Sequence, residues 1–404
     1  MIDKCRICKE SKLVSILDLG NQYLSDFRND KSKPESFPLN LLLCENCGLA
    51  QLDTTVDRDL MYHDGYGYRS GTNELIRQNL KWVVETGLNQ NPDAKSWLDI
   101  ACNDGTLLGF VPKDFRRVGI DPVKKFSVES HQNADKIIAE FFSKAAVGES
   151  FDVISSVSMF YDLDDPEAFV REVKECLNPN GIWIVQQNYL VSMIENVSFD
   201  NICHEHITYF SLTALNNLIS RNGLEIIDID FPSINGGSIM TVFAHKGVFK
   251  SSPRVEETLL AEERLGISER LGFEKFRSSV AENIQRLKNL LTQIASEKKR
   301  IQIYGASTRG GTIWQALEPE INVVAAAVER QEEKVGKIYS VIGKEIISEA
   351  EMRANPPEYL LIGPWFLKES FVSRESNYLK SGGAMIFPLP SVIIVTSSDL
   401  SKTD

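Results

Sequence analysis

The sequence predicts an α/β chain in which two doubly wound, largely parallel sheets follow an N-terminal cysteine module. Three observations predict it. Trp97-Leu98-Asp99-Ile100 reads as a short apolar strand entering the small-residue loop Ala101-Cys102-Asn103-Asp104-Gly105, with a helix expected from about Thr106-Leu107-Leu108 and a second strand, Val118-Gly119-Ile120-Asp121, ending in an acid. Residues 300–312 repeat the strand, loop and helix plan, and two C-x2-C pairs lie ahead of both copies. At 404 residues the chain exceeds one ordinary core, so two or three domains are expected. No apolar run is long enough to span a bilayer, and Met1-Ile2-Asp3-Lys4-Cys5 lacks an apolar signal core. These features point to a cytoplasmic protein with no membrane partner. A net charge of -12 argues against a nucleic-acid partner. The oligomeric state is left open.

Residues 1–60 are expected to form a zinc-binding domain. Cys5-Arg6-Ile7-Cys8 and Cys44-Glu45-Asn46-Cys47 are two knuckles whose four thiolates can complete one tetrahedral shell. Four sulfurs leave no open position for water, so Cys5, Cys8, Cys44 and Cys47 predict a structural zinc rather than a catalytic one. The long insert between the pairs must carry structure of its own. A redox role for either pair is the weaker alternative, because neither opens a helix after a strand.

Residues 61–247 are expected to hold the cofactor. A strand, a loop and an acid on the next strand is the nucleotide-site plan of doubly wound sheets. A pyrophosphate loop would carry more glycines than Gly105 alone. Side-chain acceptors in Asn103-Asp104 suit a cationic, phosphate-free ligand such as S-adenosylmethionine. Asp99, Ala101, Asn103, Asp104, Gly105 and Asp121 are its candidate contacts. Phe141-Phe142, at the tip of the strand from Lys136, are placed to sandwich an adenine, and Ser156 and Ser158 end the strand from Phe151. An ordinary βα turn with an incidental acid is the alternative. Ahead of an amphipathic helix carrying Leu75, Ile76, Leu80, Val83 and Val84, Tyr66 and Tyr68 lie in a glycine-broken aromatic loop that reads as a lid or as a linker. Helix 166–177, strand 182–185 and a closing hairpin (225–229 with 239–244) complete a parallel sheet with an antiparallel end, as in class I methyltransferases.

Asn201-Ile202-Cys203-His204-Glu205-His206-Ile207-Thr208-Tyr209-Phe210 is the most reactive-looking stretch. It fails as a zinc protease motif, where the second histidine must fall one helical turn on. It fails as a zinc deaminase, having no downstream P-C-x-x-C. A histidine tuned by a neighbouring carboxylate remains, a candidate general base, with loop stapling as the alternative.

Residues 248–404 are expected to form a helical linker plus a C-terminal Rossmann-like domain. Ser252 to Lys299 is charged and helical. In Tyr304-Gly305-Ala306-Ser307-Thr308-Arg309-Gly310-Gly311-Thr312, backbone N–H groups around Gly305 and Ser307 could face an anion, with Arg309 adding a charge-assisted contact to phosphate. A second cofactor site, such as one for NAD, competes with that idea.

The paired knuckles, I-A-C-N-D-G-T, N-I-C-H-E-H-x-x-Y-F and Y-G-A-S-T-R-G-G-T together resemble the sugar C-methyltransferases of branched deoxysugar biosynthesis. The resemblance covers nearly the whole chain, departing from the family pattern at Cys203, Asp162 and Cys102. It implies S-adenosylmethionine-dependent methylation of the carbon beside the ketone of a nucleotide-activated 4-keto-6-deoxy sugar. It also implies that His206 is the base with Glu205 its partner, and that Tyr66 or Tyr68 contacts the substrate. His204, Asn188, Tyr209, Gly305, Ser307 and Arg309 are then expected at the nucleotide-diphosphate sugar. Methylation of another activated ketone, or a non-catalytic zinc-ribbon scaffold for RNA or protein, are the rival readings.

Overall fold

The computed structural model describes residues 2–61, 69–123, 125 and 127–402. The insert between the knuckles is a long antiparallel pair, β1 (Leu13–Tyr23) and β3 (Ser36–Cys44), with the short β2 (Phe27–Arg28) between them in sequence and β4 (Ala50–Leu52) after the second knuckle. Leu39, Leu41 and Leu43 alternate along β3 and are fully buried, the two-residue period of a strand with one wet face. Each such burial stabilises the fold by about 1.5–3 kcal/mol.

The second sheet holds β5 (Ser96–Ile100), β6 (Arg116–Ile120), β7 (Lys136–Ile138), β8 (Phe151–Val157), β9 (Leu177–Asn188), β11 (Leu224–Asp230) and β12 (Ser238–His245). Their order is β11-β12-β9-β8-β5-β6-β7, with β12 antiparallel between its neighbours and β5 to β9 parallel. The expected hairpin therefore closes the sheet by slotting its second strand inside its first. All the parallel strands point their carboxyl ends at one edge, where doubly wound sheets bind ligands.

One expected helix is not there. Residues 106–111 form only turns, a single loose coil with Gly109 N donating to Gly105 O and Phe110 N to Leu107 O. Pro112 lacks the N–H needed to continue it, and one turn cannot repay nucleation. The helix Pro166–Cys176 does form, with Asp165 capping it and Pro166 in its first turn.

Helices Pro253–Leu265 and Glu274–Ser296 bridge two cores. Val255 and Ile267 pack with the middle sheet, whereas Phe276, Val280, Leu287 and Leu291 pack with the third. That third sheet holds β13 (Ile301–Tyr304), β14 (Ala327–Glu329), β15 (Ile338–Tyr339), β16 (Lys344–Ser348), β17 (Tyr359–Ile362), β18 (Ala384–Phe387) and β19 (Ile393–Val395), in the order β19-β18-β17-β13-β14-β16-β15-β2. The edge strand β2 belongs to the N-terminal module. In the same way the middle segment lends β10 (Thr208–Tyr209) to that module's sheet, where it pairs with β4. Strands are thus exchanged across all three parts, which fixes their placement around the loop that leads into β10.

Candidate active site

At the carboxyl edge of the middle sheet, the loop after β5 is a strained turn. Ala101, Asn103 and Gly105 have φ of 59°, 49° and 74°. A side chain at Gly105 would put its Cβ 2.7 Å from the Ser130 Cα, so only glycine fits there. The Asp121 carboxylate straps the loop, accepting from Asn103 N at 2.9 Å and Val123 N at 2.8 Å. Asp104 accepts from Gly71 N at 2.8 Å, and Asn103 Oδ1 from Ser70 N at 3.1 Å. These seat the segment before helix Glu74–Gln90 on the loop.

Below them Asp99 accepts from Ser155 Oγ at 2.6 Å. Burial pushes its carboxyl up to about 7 against that bond, and repulsion from Asp121 and Asp104 adds to the push. Asp121 is raised by burial as well. Three carboxylates crowd one loop, an arrangement that a cationic ligand relieves and a phosphate aggravates. The donor set therefore fits a sulfonium cofactor.

The remaining cofactor candidates divide. Ser158, with φ of 55°, lies at the tip of β8, its N–H donating to Gln186 O. Phe141 is 64% exposed. Phe142 instead packs on Phe169, ring centres 5.0 Å apart. Ser156 is fully buried and accepts from Trp183 Nε1 at 3.1 Å. Its hydroxyl serves the core rather than the cleft, because β8 is covered on both faces.

His206 lies beyond the carboxyl ends of β8 and β9. Its Nδ1 is 3.1 Å from the Asn201 carbonyl. A carbonyl only accepts, so Nδ1 carries the proton and Nε2 keeps a free lone pair. Burial, helped by the Arg309 charge, holds the imidazole down at about 4, so it is neutral at physiological pH. Its pocket, about 230 Å³, is lined by Tyr161, Asn188 and Tyr189 among others. The Tyr161 ring meets the imidazole edge-on at 4.4 Å.

Glu205 is not the partner of His206. Consecutive side chains diverge here, and Glu205 accepts instead from Thr308 Oγ1 at 3.3 Å and Cys203 Sγ at 3.8 Å. Burial pushes its carboxyl up to about 7. It looks into a separate cleft of about 370 Å³, shared with Gln22, Tyr23, Thr308 and Gln315. His204 also borders that cleft, but its Nε2 bonds the Phe37 carbonyl at 3.2 Å. Asn188 donates to Asn201 Oδ1, and the Tyr209 hydroxyl to Asn201 O. Tyr66 and Tyr68 lie outside the described residues.

The expected anion cradle in the third sheet is filled by the protein itself. Gly305 (φ 97°) sits where a Cβ would meet Pro364 at 2.6 Å. Ala306 N donates to Glu329, and Ser307 caps its own helix, Thr308–Ala316. Arg309 Nε donates to Asp200 Oδ2 at 2.9 Å, with Nη2 in ion-pair contact with the same oxygen at 2.7 Å, and Nη1 donates to Asn235 O at 2.7 Å. Arg309 is thus an inter-domain tie rather than a free phosphate ligand. Sequence reading missed Asp200, Tyr161 and Thr308; an aromatic just past a strand's carboxyl end was the signal available for Tyr161.

At the knuckles, Cys5 and Cys47 sulfurs are 3.5 Å apart and those of Cys8 and Cys44 3.4 Å. All four lie within 4.8 Å of one another. Sulfurs bound to zinc at about 2.3 Å in a tetrahedron stand roughly 3.8 Å apart, so the set fits. Asn217 donates to Cys47 O, docking the knuckle on helix Leu212–Arg221.

Three family models match in succession: a zinc-binding domain over residues 5–62, a methyltransferase domain over 68–229, and a C-methyltransferase C-terminal domain over 233–390. Together the three matches, which tile most of the chain, make it an S-adenosylmethionine-dependent C-methyltransferase. This C-methyltransferase is 25% identical to C-methyltransferase NovU of Streptomyces niveus over 411 residues, 98% of this chain and 97% of that one. Among solved structures, an S-adenosylmethionine-dependent methyltransferase from Clostridium acetobutylicum ATCC 824 is 13% identical, covering 42% of this chain and 92% of its own at a TM-score of 0.36. The N-methyltransferase NodS from Bradyrhizobium japonicum WM9, in complex with S-adenosyl-L-homocysteine, is 16% identical over 47% and 95%, also at 0.36. The sheet order and the methyltransferase match make the middle unit a class I fold, and the cofactors are S-adenosylmethionine and zinc.

Proposed function

We propose that this C-methyltransferase acts on the carbon beside the ketone of a nucleotide-activated 4-keto-6-deoxy sugar, with His206 as the base. The observation that carries the chemistry is the Nδ1–H bond to Asn201 O, which leaves Nε2 free to take the carbon-bound proton. The electron pair left behind delocalises onto the ketone oxygen and then forms the new carbon–carbon bond. The β5 loop, with Asp99, Asn103 and Asp121, would hold S-adenosylmethionine, which would supply an electrophilic methyl on sulfur and leave a neutral thioether. The chain's own work is to hold carbon and methyl in contact and exclude water. Glu205 faces the adjoining inter-domain cleft, the side toward which the substrate's far portion would extend. The sugar assignment is supported by the motif resemblance. Seven unpaired cysteines and the absence, among the described residues, of a helix able to cross a membrane favour a cytoplasmic setting.

The engagement of Arg309 with Asp200 favours a second reading, an activated ketone without phosphate. Incubation with labelled methyl donor and a panel of nucleotide 4-keto sugars, beside unphosphorylated ketones, separates the two: label in a sugar nucleotide supports the first, label only in the others the second. His206→Asn is expected to lose about 10²–10⁴ in turnover while binding the donor with wild-type affinity in calorimetry. Wild-type turnover in that variant removes the base assignment.

A further inference from the structure

The glycine-rich segment after β13 spends its side chains on one loop of the middle domain. Thr308 Oγ1 donates to Glu205 at 3.3 Å, Arg309 pairs with Asp200, and Thr312 Oγ1 donates to Ile202 O at 2.9 Å. Trp365 Nε1 adds a fourth contact, to the Asp200 carboxylate at 3.1 Å. The glycines serve packing: a Cβ at Gly310 would come 3.0 Å from Trp314 Nε1, and one at Gly311 would come 3.2 Å from the Tyr339 hydroxyl. On the opposite side of the same loop, Asn201 O takes His206 Nδ1–H and the Tyr209 hydroxyl. The Asn201 peptide is therefore pinned between two gripped neighbours, Asp200 and Ile202.

We infer that helix Thr308–Ala316 positions His206, with Arg309 as the principal positioning residue: by fixing Asp200 and Ile202 it holds the Asn201 carbonyl where it selects the Nδ1–H tautomer. The C-terminal domain thereby sets the protonation pattern of a side chain it does not carry. A buried pair, with Asp200 1% and Arg309 16% exposed at the side chain, is weak evidence for stability and better explained by fixing one arrangement. Around the imidazole stand Arg309 from the helix, Tyr161 from the turn after β8 and Tyr209 from β10, while Glu205 and Asp162 act on the neighbouring Cys203, and Arg6 on Tyr209. Of these, Arg309 is the cation that disfavours the imidazolium.

The inference rests on His206 being the base, and its test needs no turnover. Imidazole nitrogen shifts of the full-length, ¹⁵N-labelled protein report tautomer and titration directly. In the wild type Nδ1 is protonated and Nε2 bare at neutral pH. Arg309→Met should lower the ratio of the two tautomers by about tenfold, the worth of one net hydrogen bond, and move the imidazole titration upward. Arg309→Lys keeps the cation but cannot bond Asp200 and Asn235 O through separate nitrogens, so it should loosen the tautomer and leave the titration near the wild type. A folded Arg309→Met protein with wild-type tautomer and titration overturns the inference. Should that variant not fold, Thr312→Val, which frees only Ile202 O, is read by the same shifts: a changed ratio supports the inference and an unchanged one refutes it. An active His206→Asn enzyme would remove the base assignment and leave this tautomer result standing.

Discussion

Two loops in this C-methyltransferase share one plan and end in opposite states. The loop after β5 has its backbone strapped to Asp121, while its carboxylates crowd together without a cation among the contacts described. The loop after β13 has Ala306 N on Glu329, Lys334 on Ala306 O, Gly305 against Pro364 and Arg309 on Asp200. A strand, a loop and an acid on the next strand therefore mark a place where a ligand can bind. Whether it binds depends on how many of the loop's polar groups the fold has already used.

The largest effect should come from the element that serves neither loop. Structural zinc contributes roughly 10–16 kcal/mol to small cysteine modules, so chelation should unfold β1, β3 and β4. That releases β10 from β4 and with it the loop carrying His206. Donor binding to the β5 loop should survive, since its strands pair only within the middle sheet. Circular dichroism against donor calorimetry checks this, and loss of both together would show that the cofactor loop depends on the module.

Next in size is the contrast between the two acids. Asp121→Ala removes the acceptor for Asn103 N and Val123 N. With charged hydrogen bonds worth about 1.5–3 kcal/mol, it should weaken S-adenosylmethionine binding by roughly 10–100-fold. Glu329→Ala, the matching change in the other loop, should leave donor affinity unaltered. Equal losses would mean that both loops contribute to one ligand.

The contrast also shows what the sequence could tell. The middle sheet was legible because short β-branched segments such as Phe151–Val157, buried almost throughout and flanked by turn residues, are too short to be buried helices. The four sulfurs were legible because spacing alone brings them together. The helix after Gly105 was misread because Pro112 outweighs Leu107 and Leu108. Arg309 was misread because a basic residue beside glycines looks the same whether its partner is a phosphate or Asp200, a partner from another domain. The partner of His206 is a backbone carbonyl, to which residue type is blind, so the adjacent Glu205 drew the assignment. A two-residue strand such as β10, paired across domains, leaves no periodicity to read.

The smallest predicted effect is the most specific to the open loop. In the free protein Asp99 holds its proton up to about 7, whereas an unfolded aspartate releases it near 3.9. The sign follows from linkage: stability from this group is full below the unfolded value and is lost as pH rises through about 7. A sulfonium ligand favours the ionised carboxylate, so binding releases the proton and affinity should rise with pH across that window. S-adenosylhomocysteine carries no sulfonium charge and gains less. The preference for S-adenosylmethionine over it should therefore grow by up to about tenfold per pH unit as pH rises from mildly acidic to about 7, and level off above that. Asp99→Asn should flatten that rise without moving the His206 titration, which has its own partners. A ratio that is flat with pH in the wild type would mean that the crowded carboxylates are not what the loop offers its cofactor.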